Sequence, residues 1–278
     1  MTSILRIADL SITTSTGARV LDGVDLEISR GERVGLIGES GSGKSLTALA
    51  SVGLLPRSMS VTGSILLDST QVVGASERQL IPLRGSVASL VFQEPLTALD
   101  PLMRLGNQLK VPLRRHQKIS GVRLEDAVTA ALREVQIEDT ERISRSYPHE
   151  VSGGQRQRVA IALALACLPQ LLIADEPTTA LDVTVQADVL DLLDTLVKER
   201  GMALLFISHD LAVVSRITRR AVVLQRGSLV EDGPISRILS DPQHPYTQDL
   251  VTSARELDSV LDGLATSERS GAVGEETP

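Results

Sequence analysis

The sequence predicts an α/β fold: a mostly parallel sheet covered by helices, with a helical subdomain inserted into it. Three observations carry this. Short β-like runs alternate with helical periods along much of the chain, a pattern that buries a parallel sheet on both faces. A strand, the loop GESGSGKS and a helix follow one another near the start. Between Pro95 and Leu168 the strand signal gives way to helical periods.

The elements follow in order. Ile4 to Ile12, Val24 to Ile28 and Arg33 to Ile37 read as strands. A helix after Gly43 is expected to reach Leu55, where Pro56 cannot continue it. Gly63 to Leu67 and Ser86 to Phe92 again read as strands. In the helical block, Leu124, Val128, Ala131, Leu132 and Val135 form one stripe. Strand–helix alternation then resumes: LLIAD, a helix from Val183 to Arg200 closed by Gly201, strand ALLFIS and a short helix from Asp210 to Ile217. AVVLQRG and SLVEDG close the layer as a hairpin-like pair. Residues 1–240 are expected to form one domain, with the helical subdomain at about 95–168. Residues 241–278 form a C-terminal extension: an amphipathic helix over 246–264 and a polar, acidic, disordered tail. The helix's stripe (Leu250, Val251, Leu257, Val260, Leu261 and Leu264) has no evident place in the core and predicts a surface for a partner.

Composition narrows the function. The net charge is −7, from 28 basic and 35 acidic residues, so the basic excess of a general nucleic-acid binder is missing. Two Phe, two Tyr and no Trp leave few platforms for stacking bases. The single cysteine, Cys167, supports no intrachain disulfide framework and no four-cysteine metal centre. MTSILRIADL has no basic stretch ahead of an apolar one, and the apolar run Val159 to Leu168 is well short of a membrane span of ~20 residues. The expectation is a soluble, cytoplasmic chain that touches membranes through partners.

GESGSGKS fits G-x-x-x-x-G-K-[ST] in its strand-to-helix context. Gly38, Gly41 and Gly43 let the backbone wrap a phosphate chain, and the amides of Glu39, Ser40, Ser42 and their neighbours point at phosphate oxygens. Lys44 reaches the terminal phosphates, and the Ser45 hydroxyl takes a Mg²⁺ position. LLIADEP delivers Asp175 at a strand's C-terminal end as a second Mg²⁺ group, with Glu176 next as a general base for water. Gln93 ends the strand before it and could reach Mg²⁺ or the water; His209, after ALLFIS, could contact a γ-phosphate. The string Ser208-His209-Asp210 is no catalytic triad, because consecutive residues cannot converge on one atom. Ser152-Gly153-Gly154-Gln155 fits a capping box. The box does not explain two glycines, each weakening a helix start by roughly 1 kcal/mol relative to Ala. A second phosphate-reading helix start, far from Lys44 in the chain, is most economically explained by a nucleotide bound to another subunit.

GESGSGKS, VFQEP, VSGGQRQR, LLIADEP, ALD and SHD in this order resemble the ATP-binding subunit of an ABC transporter over about Ile4 to Leu250. The resemblance implies a P-loop ABC-type ATPase fold, a mixed sheet core with an N-terminal antiparallel β-subdomain and the inserted helical subdomain, and two chains head to tail. Each ATP with its Mg²⁺ would lie between Lys44 of one chain and Ser152, Gly153, Gly154 and Gln155 of the other. Asp182 would touch across the dimer, while Gln93 and His209 sense the γ-phosphate. HPYTQDL and TTALDVTVQA resemble the importer branch for peptides, nickel and related solutes. That branch implies a second ATPase subunit of the same or a homologous chain, two membrane permeases, and indirectly an extracytoplasmic solute-binding protein, at the cytoplasmic face of the membrane. A non-transport accessory ATPase, such as that of the carbon–phosphorus lyase complex, resembles the same branch. Longer members carry a cysteine cluster after HPYT that holds iron–sulfur; none stands here, so that cofactor is not expected. An aromatic near Thr14 usually stacks on adenine, and Thr14 predicts loose base selectivity. Val151 stands where Leu is usual.

Overall fold

The computed structural model describes residues 2–179 and 182–255. The strands are β1 (Ser3–Thr13), β2 (Arg19–Ser29), β3 (Arg33–Ile37), β4 (Ser60–Leu67), β5 (Thr70–Gln71), β6 (Ala88–Val91), β7 (Leu171–Asp175), β8 (Ala203–Ser208), β9 (Arg220–Gln225) and β10 (Ser228–Pro234). Two sheets result. One is antiparallel in the order β2-β1-β4-β5, and the other runs β10-β9-β3-β8-β7-β6. In the second, β6, β7, β8, β3 and β9 are mutually parallel and only β10 is antiparallel.

Burial alternates along the central strands. On β8, Leu204 and Phe206 join the helix-side core, whereas Ala203, Leu205 and Ile207 join the core shared with the antiparallel sheet. On β7, Leu172 and Ala174 face the first core, Leu171 and Ile173 the second. Period-2 side chains with both faces buried require a near-continuous apolar run, which is why LLIAD and ALLFIS lack the polar alternation of a one-sided sheet.

The helices are α1 (Lys44–Ser51), α2 (Glu77–Leu80), α3 (Pro95–Ala98), α4 (Leu105–Gln117), α5 (Val122–Glu134), α6 (Thr140–Arg145), α7 (Gly153–Leu165), α8 (Val183–Arg200), α9 (Leu211–Ile217), α10 (Ile235–Ser240) and a last one over residues 245–255, α11. Helices α3 to α7 fill the chain between β6 and β7. The α5 stripe packs as its periodicity predicts, with Leu124, Val128, Leu132 and Val135 buried and Ala131 half-buried. Arg200, at the end of α8, bonds Glu134 of α5 and the Leu165 carbonyl of α7, joining the block to the sheet.

Two expectations change. Helix α1 ends at Ser51, short of Leu55, because Gly53 takes a left-handed φ of 66°. The Leu54 amide then bonds the Leu49 carbonyl and the Gly53 amide that of Ala50, a Schellman stop before Pro56 can act. The described part of the C-terminal helix does not offer a free apolar stripe: Val251 is 2% exposed in the core, with Tyr246, Leu250 and Ala254 packed against it. The expected continuation over 256–264, and the tail beyond it, lie outside the described residues.

Candidate functional site

The loop between β3 and α1 is shaped by its glycines. A Cβ at Gly38 would lie 2.2 Å from the Leu224 carbonyl oxygen of β9. Gly43 has φ 105°, and a Cβ there would meet the Leu21 side chain at 2.3 Å. These two glycines therefore serve packing against the chain itself, in addition to the phosphate access expected from sequence. Only Gly41, at φ 82°, has open space around it. The Lys44 ammonium curls back under the loop, donating to the carbonyls of Gly38 (2.7 Å) and Glu39 (3.0 Å). Burial pushes its pKa down, against the pull of Glu176 and Asp175 upward.

Asp175 and Glu176 are consecutive, and in a continued strand their side chains would point to opposite faces. The chain avoids this by a turn. Glu176 takes φ 46°, in the left-handed region rarely used outside glycine, and its amide is held by the Ile207 carbonyl at 2.9 Å. Both carboxylates thereby reach the loop. Asp175 lies beside the Ser45 hydroxyl, which draws its pKa part of the way back down after burial has raised it. The nearest Glu176 oxygen is 3.8 Å from the Lys44 nitrogen. Backbone in this region costs of order 1 kcal/mol or more, a strain typical of sites where it orients a functional group.

Oε2 of Glu176 is a hub. The Thr179 hydroxyl donates to it at 2.9 Å, His209 Nδ1 lies at 3.2 Å, and the Gln93 amide reaches it at 3.5 Å. Three strand ends, β6, β7 and β8, thus converge on one carboxylate. These groups share an open cleft of about 860 Å³ lined by Glu39, Ser40, Gly41, Gly43, Lys44 and Ser45, by Gln93, Glu176, Thr179 and His209, and by apolar Val20, Leu46 and Leu250. No aromatic residue is among them. Thr14 is instead spent in the β1–β2 turn, where its hydroxyl bonds Thr16 and the Ala18 amide.

Asp175 Oδ1 is buried without a hydrogen-bond partner. An orphaned anionic oxygen beside a Ser hydroxyl fits a hard divalent cation. Among the described residues no three His, Cys, Asp or Glu side chains cluster to form an all-protein cage. That suits Mg²⁺, which takes one or two protein oxygens and completes its shell with phosphate and water.

Ser152 to Gln155 do not line this cleft. They form the capping box: the Ser152 hydroxyl accepts from the Gln155 amide, and the Gln155 side-chain oxygen accepts from the Ser152 amide, both at 3.2 Å. A Cβ at Gly154 would meet the Val185 side chain of α8 at 2.7 Å, so this glycine has a packing reason of its own. Gly153 is exposed. Asp182 caps α8, its carboxylate accepting from the Val185 amide at 3.0 Å, and is likewise exposed and away from the cleft. Sequence reasoning missed Thr179, whose TTALD context is polar but carries no spacing signal, and missed Tyr246 and Leu250 as neighbours of the loop.

The family model described as "ABC transporter" matches residues 21–179. This chain belongs to the ABC transporter family. It is 43% identical to the oligopeptide transport ATP-binding protein AppD of Bacillus subtilis (strain 168), over 88% of this chain and 75% of that protein. Among solved structures it superposes on an ATP-binding cassette determined as a post-hydrolysis dimer bound to ADP and Pi. The TM-score is 0.74 and the identity 29%, over 83% of this chain and 98% of that one. It also matches the cbiO1 subunit of the cbiONQ ABC transporter complex of Clostridium perfringens, with TM-score 0.74 and 28% identity over 87% and 92% of the two chains. The ABC-type core, with its antiparallel sheet and its helical subdomain, is therefore the fold of this chain, and ATP binding and hydrolysis are the family's general activity.

Proposed function

We propose that this chain is the ATP-hydrolysing motor subunit of an importer for peptides, nickel or a related solute, working through partner permeases. The observation that carries the reading is the turn at Glu176, which brings two consecutive carboxylates to one phosphate loop. Likeness to a subunit named for oligopeptide transport supports the solute class.

In this reading the amides from Ser40 to Ser45 and the Lys44 ammonium hold the phosphates of ATP, while the Glu39 amide, expected from sequence to join them, is taken by the Tyr246 hydroxyl. The Lys44 bonds to Gly38 and Glu39 exchange for phosphate oxygens at little cost in geometry. Ser45 and Asp175, with Gln93, would hold Mg²⁺, which when bound neutralises phosphate charge and fixes the orientation of the chain of phosphates. Glu176 takes the proton of the attacking water. His209, Gln93 and Thr179 hold its carboxylate in place through Oε2, and a change at the γ-phosphate reaches them through that atom. The signature Ser152, Gly153, Gly154 and Gln155 completes the site of a second ATPase subunit, with Asp182 at the same interface.

Partner docking has support of its own. Just after Gln93 the surface carries Leu96 (52% exposed), Leu102 (87%) and Met103 (37%). Exposed apolar side chains on a helical subdomain suit the cytoplasmic loops of two permeases, and this supports a peripheral position at the cytoplasmic face of the membrane.

Glu176→Gln tests the assignment. It keeps shape and hydrogen bonding and removes the proton acceptor, so ATP turnover in the assembled complex should fall by about 10²–10⁴ while ATP still binds. Wild-type turnover by this variant would sink the assignment.

A further inference from the structure

The segment His244-Pro245-Tyr246 opens α11 and belongs to the extension, yet it touches the phosphate loop. The Tyr246 hydroxyl accepts a hydrogen bond from the Glu39 amide at 2.8 Å. One turn further along α11, Leu250 lines the cleft. Glu39 is thus gripped on both sides of its backbone: its N–H by Tyr246, and its carbonyl by the Lys44 ammonium at 3.0 Å.

The grip is anchored from below. Glu231 of β10 is 6% exposed, and its carboxylate accepts from the amides of Gln243 (3.0 Å) and His244 (3.1 Å). His244 Nδ1 accepts from the Tyr246 amide at 3.2 Å, satisfying a donor at the start of α11, and Pro245 occupies the first helical position, where its missing N–H costs nothing. The Gln248 side chain donates to the Pro242 carbonyl and closes the turn. Together these bonds fix the start of α11 and with it the aim of the phenol.

We infer that Tyr246 is a positioning residue for the nucleotide site: through the Glu39 amide it holds the phosphate loop in the shape that accepts ATP. Resting on the reading of that loop as an ATP site, the inference adds that the C-terminal extension is part of the site's scaffold. Nucleotide phosphates draw the Lys44 ammonium off the Glu39 carbonyl, which leaves Tyr246 on the Glu39 N–H and the Ser42 amide on its carbonyl (3.2 Å) as the restraints on that residue. By linkage, whatever Tyr246 contributes to ATP affinity ATP returns to the docking of α11.

The test uses the full chain, with Kd for MgATP from calorimetry for wild type, Tyr246→Phe and Tyr246→Ala. Losing one hydrogen bond to a backbone amide should weaken MgATP binding about 2- to 10-fold in the Phe variant. Ring packing is kept there, so thermal stability should stay near wild type. The Ala variant should bind no better than the Phe variant. Hydrogen exchange should speed up in the loop peptide around Glu39 for both variants, and MgATP should slow exchange in α11 of wild type. If Tyr246→Phe binds MgATP as wild type does while Tyr246→Ala is impaired, the ring only packs and the inference falls. It falls equally if both variants bind as wild type. A wild-type chain that binds no MgATP would overturn the ATP-site reading itself, a result distinct from either of these.

Discussion

Asp175 has a carboxylate oxygen with no partner although the residue is only 7% exposed, an arrangement that makes no sense for stability. Burial raises its pKa. Charging it costs more in the folded chain than in the unfolded one, so the penalty is absent well below the ordinary carboxylate range and grows as pH rises through it toward the raised folded value. Asp175→Asn removes the penalty and keeps the shape. The melting temperature of the metal-free chain at neutral pH should therefore hold or rise, while Mg²⁺-dependent ATP hydrolysis in the complex falls by about 10²-fold or more. A clear fall in melting temperature would mean that Asp175 is a structural partner of Lys44 instead. At this scale much was legible: Lys44, Ser45, Asp175 and Glu176 stand in motifs whose spacing implies their chemistry. The left-handed turn at Glu176 was not, because a Glu after a strand carries no local mark of positive φ. Thr179 was equally invisible, since its role comes from folding back onto Glu176 and not from its neighbours in sequence.

Elements with a strong period and a clean stop were read almost to the residue, as β3, β7, β8 and α8 illustrate. Gly, Pro or a capping Asp stands at or near their ends; β7 and β8 are buried along their whole length, and α8 buries one apolar stripe. The end of helix α1 is less legible, because Pro56 is the stronger breaker in sequence whereas Gly53, in the left-handed region, is what stops the helix. The extension was harder still: α11 is marked less by its own sequence than by Glu231, which lies on β10 and holds amides of residues 243 and 244. For Glu231, burial pushes the pKa up, but these amide bonds outweigh it and the net shift is downward. A lowered carboxylate pKa contributes stability above the ordinary range and loses it as pH falls through the folded value. Glu231→Gln should act as that acidification does, at neutral pH. Hydrogen bonds to a charged acceptor contribute about 1.5–3 kcal/mol each, and the neutral amide keeps only part of this. Exchange of the amides in α11 should accelerate about tenfold or more while the sheet core stays protected. Equal exchange in α11 would place its anchor elsewhere, in the Val251 packing.

At the scale of the whole molecule, the cleft that holds Lys44, Glu176 and His209 is lined by none of Ser152, Gly153, Gly154 and Gln155. The capping box alone would account for Ser152 and Gln155. Gly154 is also accounted for, by Val185. What remains unexplained within one chain is Gly153, exposed at the first position of α7, where nothing in helix energetics favours glycine. That isolates the proper test of a nucleotide shared between two subunits. Substitution at Gly154 would disturb α8 as well, whereas Gly153→Asp adds a carboxylate on the open face and, at the start of a helix, agrees with the helix dipole. The variant should fold and bind MgATP with the affinity of wild type. If a partner's γ-phosphate comes within ~4 Å, two like charges repel by about 4 kcal/mol at an effective dielectric near 20. In ultracentrifugation with MgATP, on the Glu176→Gln background that slows turnover, the ATP-dependent pairing of this chain with itself or its second ATPase should weaken by about 10³-fold. Pairing of undiminished strength would leave SGGQ as a helix cap and nothing more, and the site would then have to be completed by another surface.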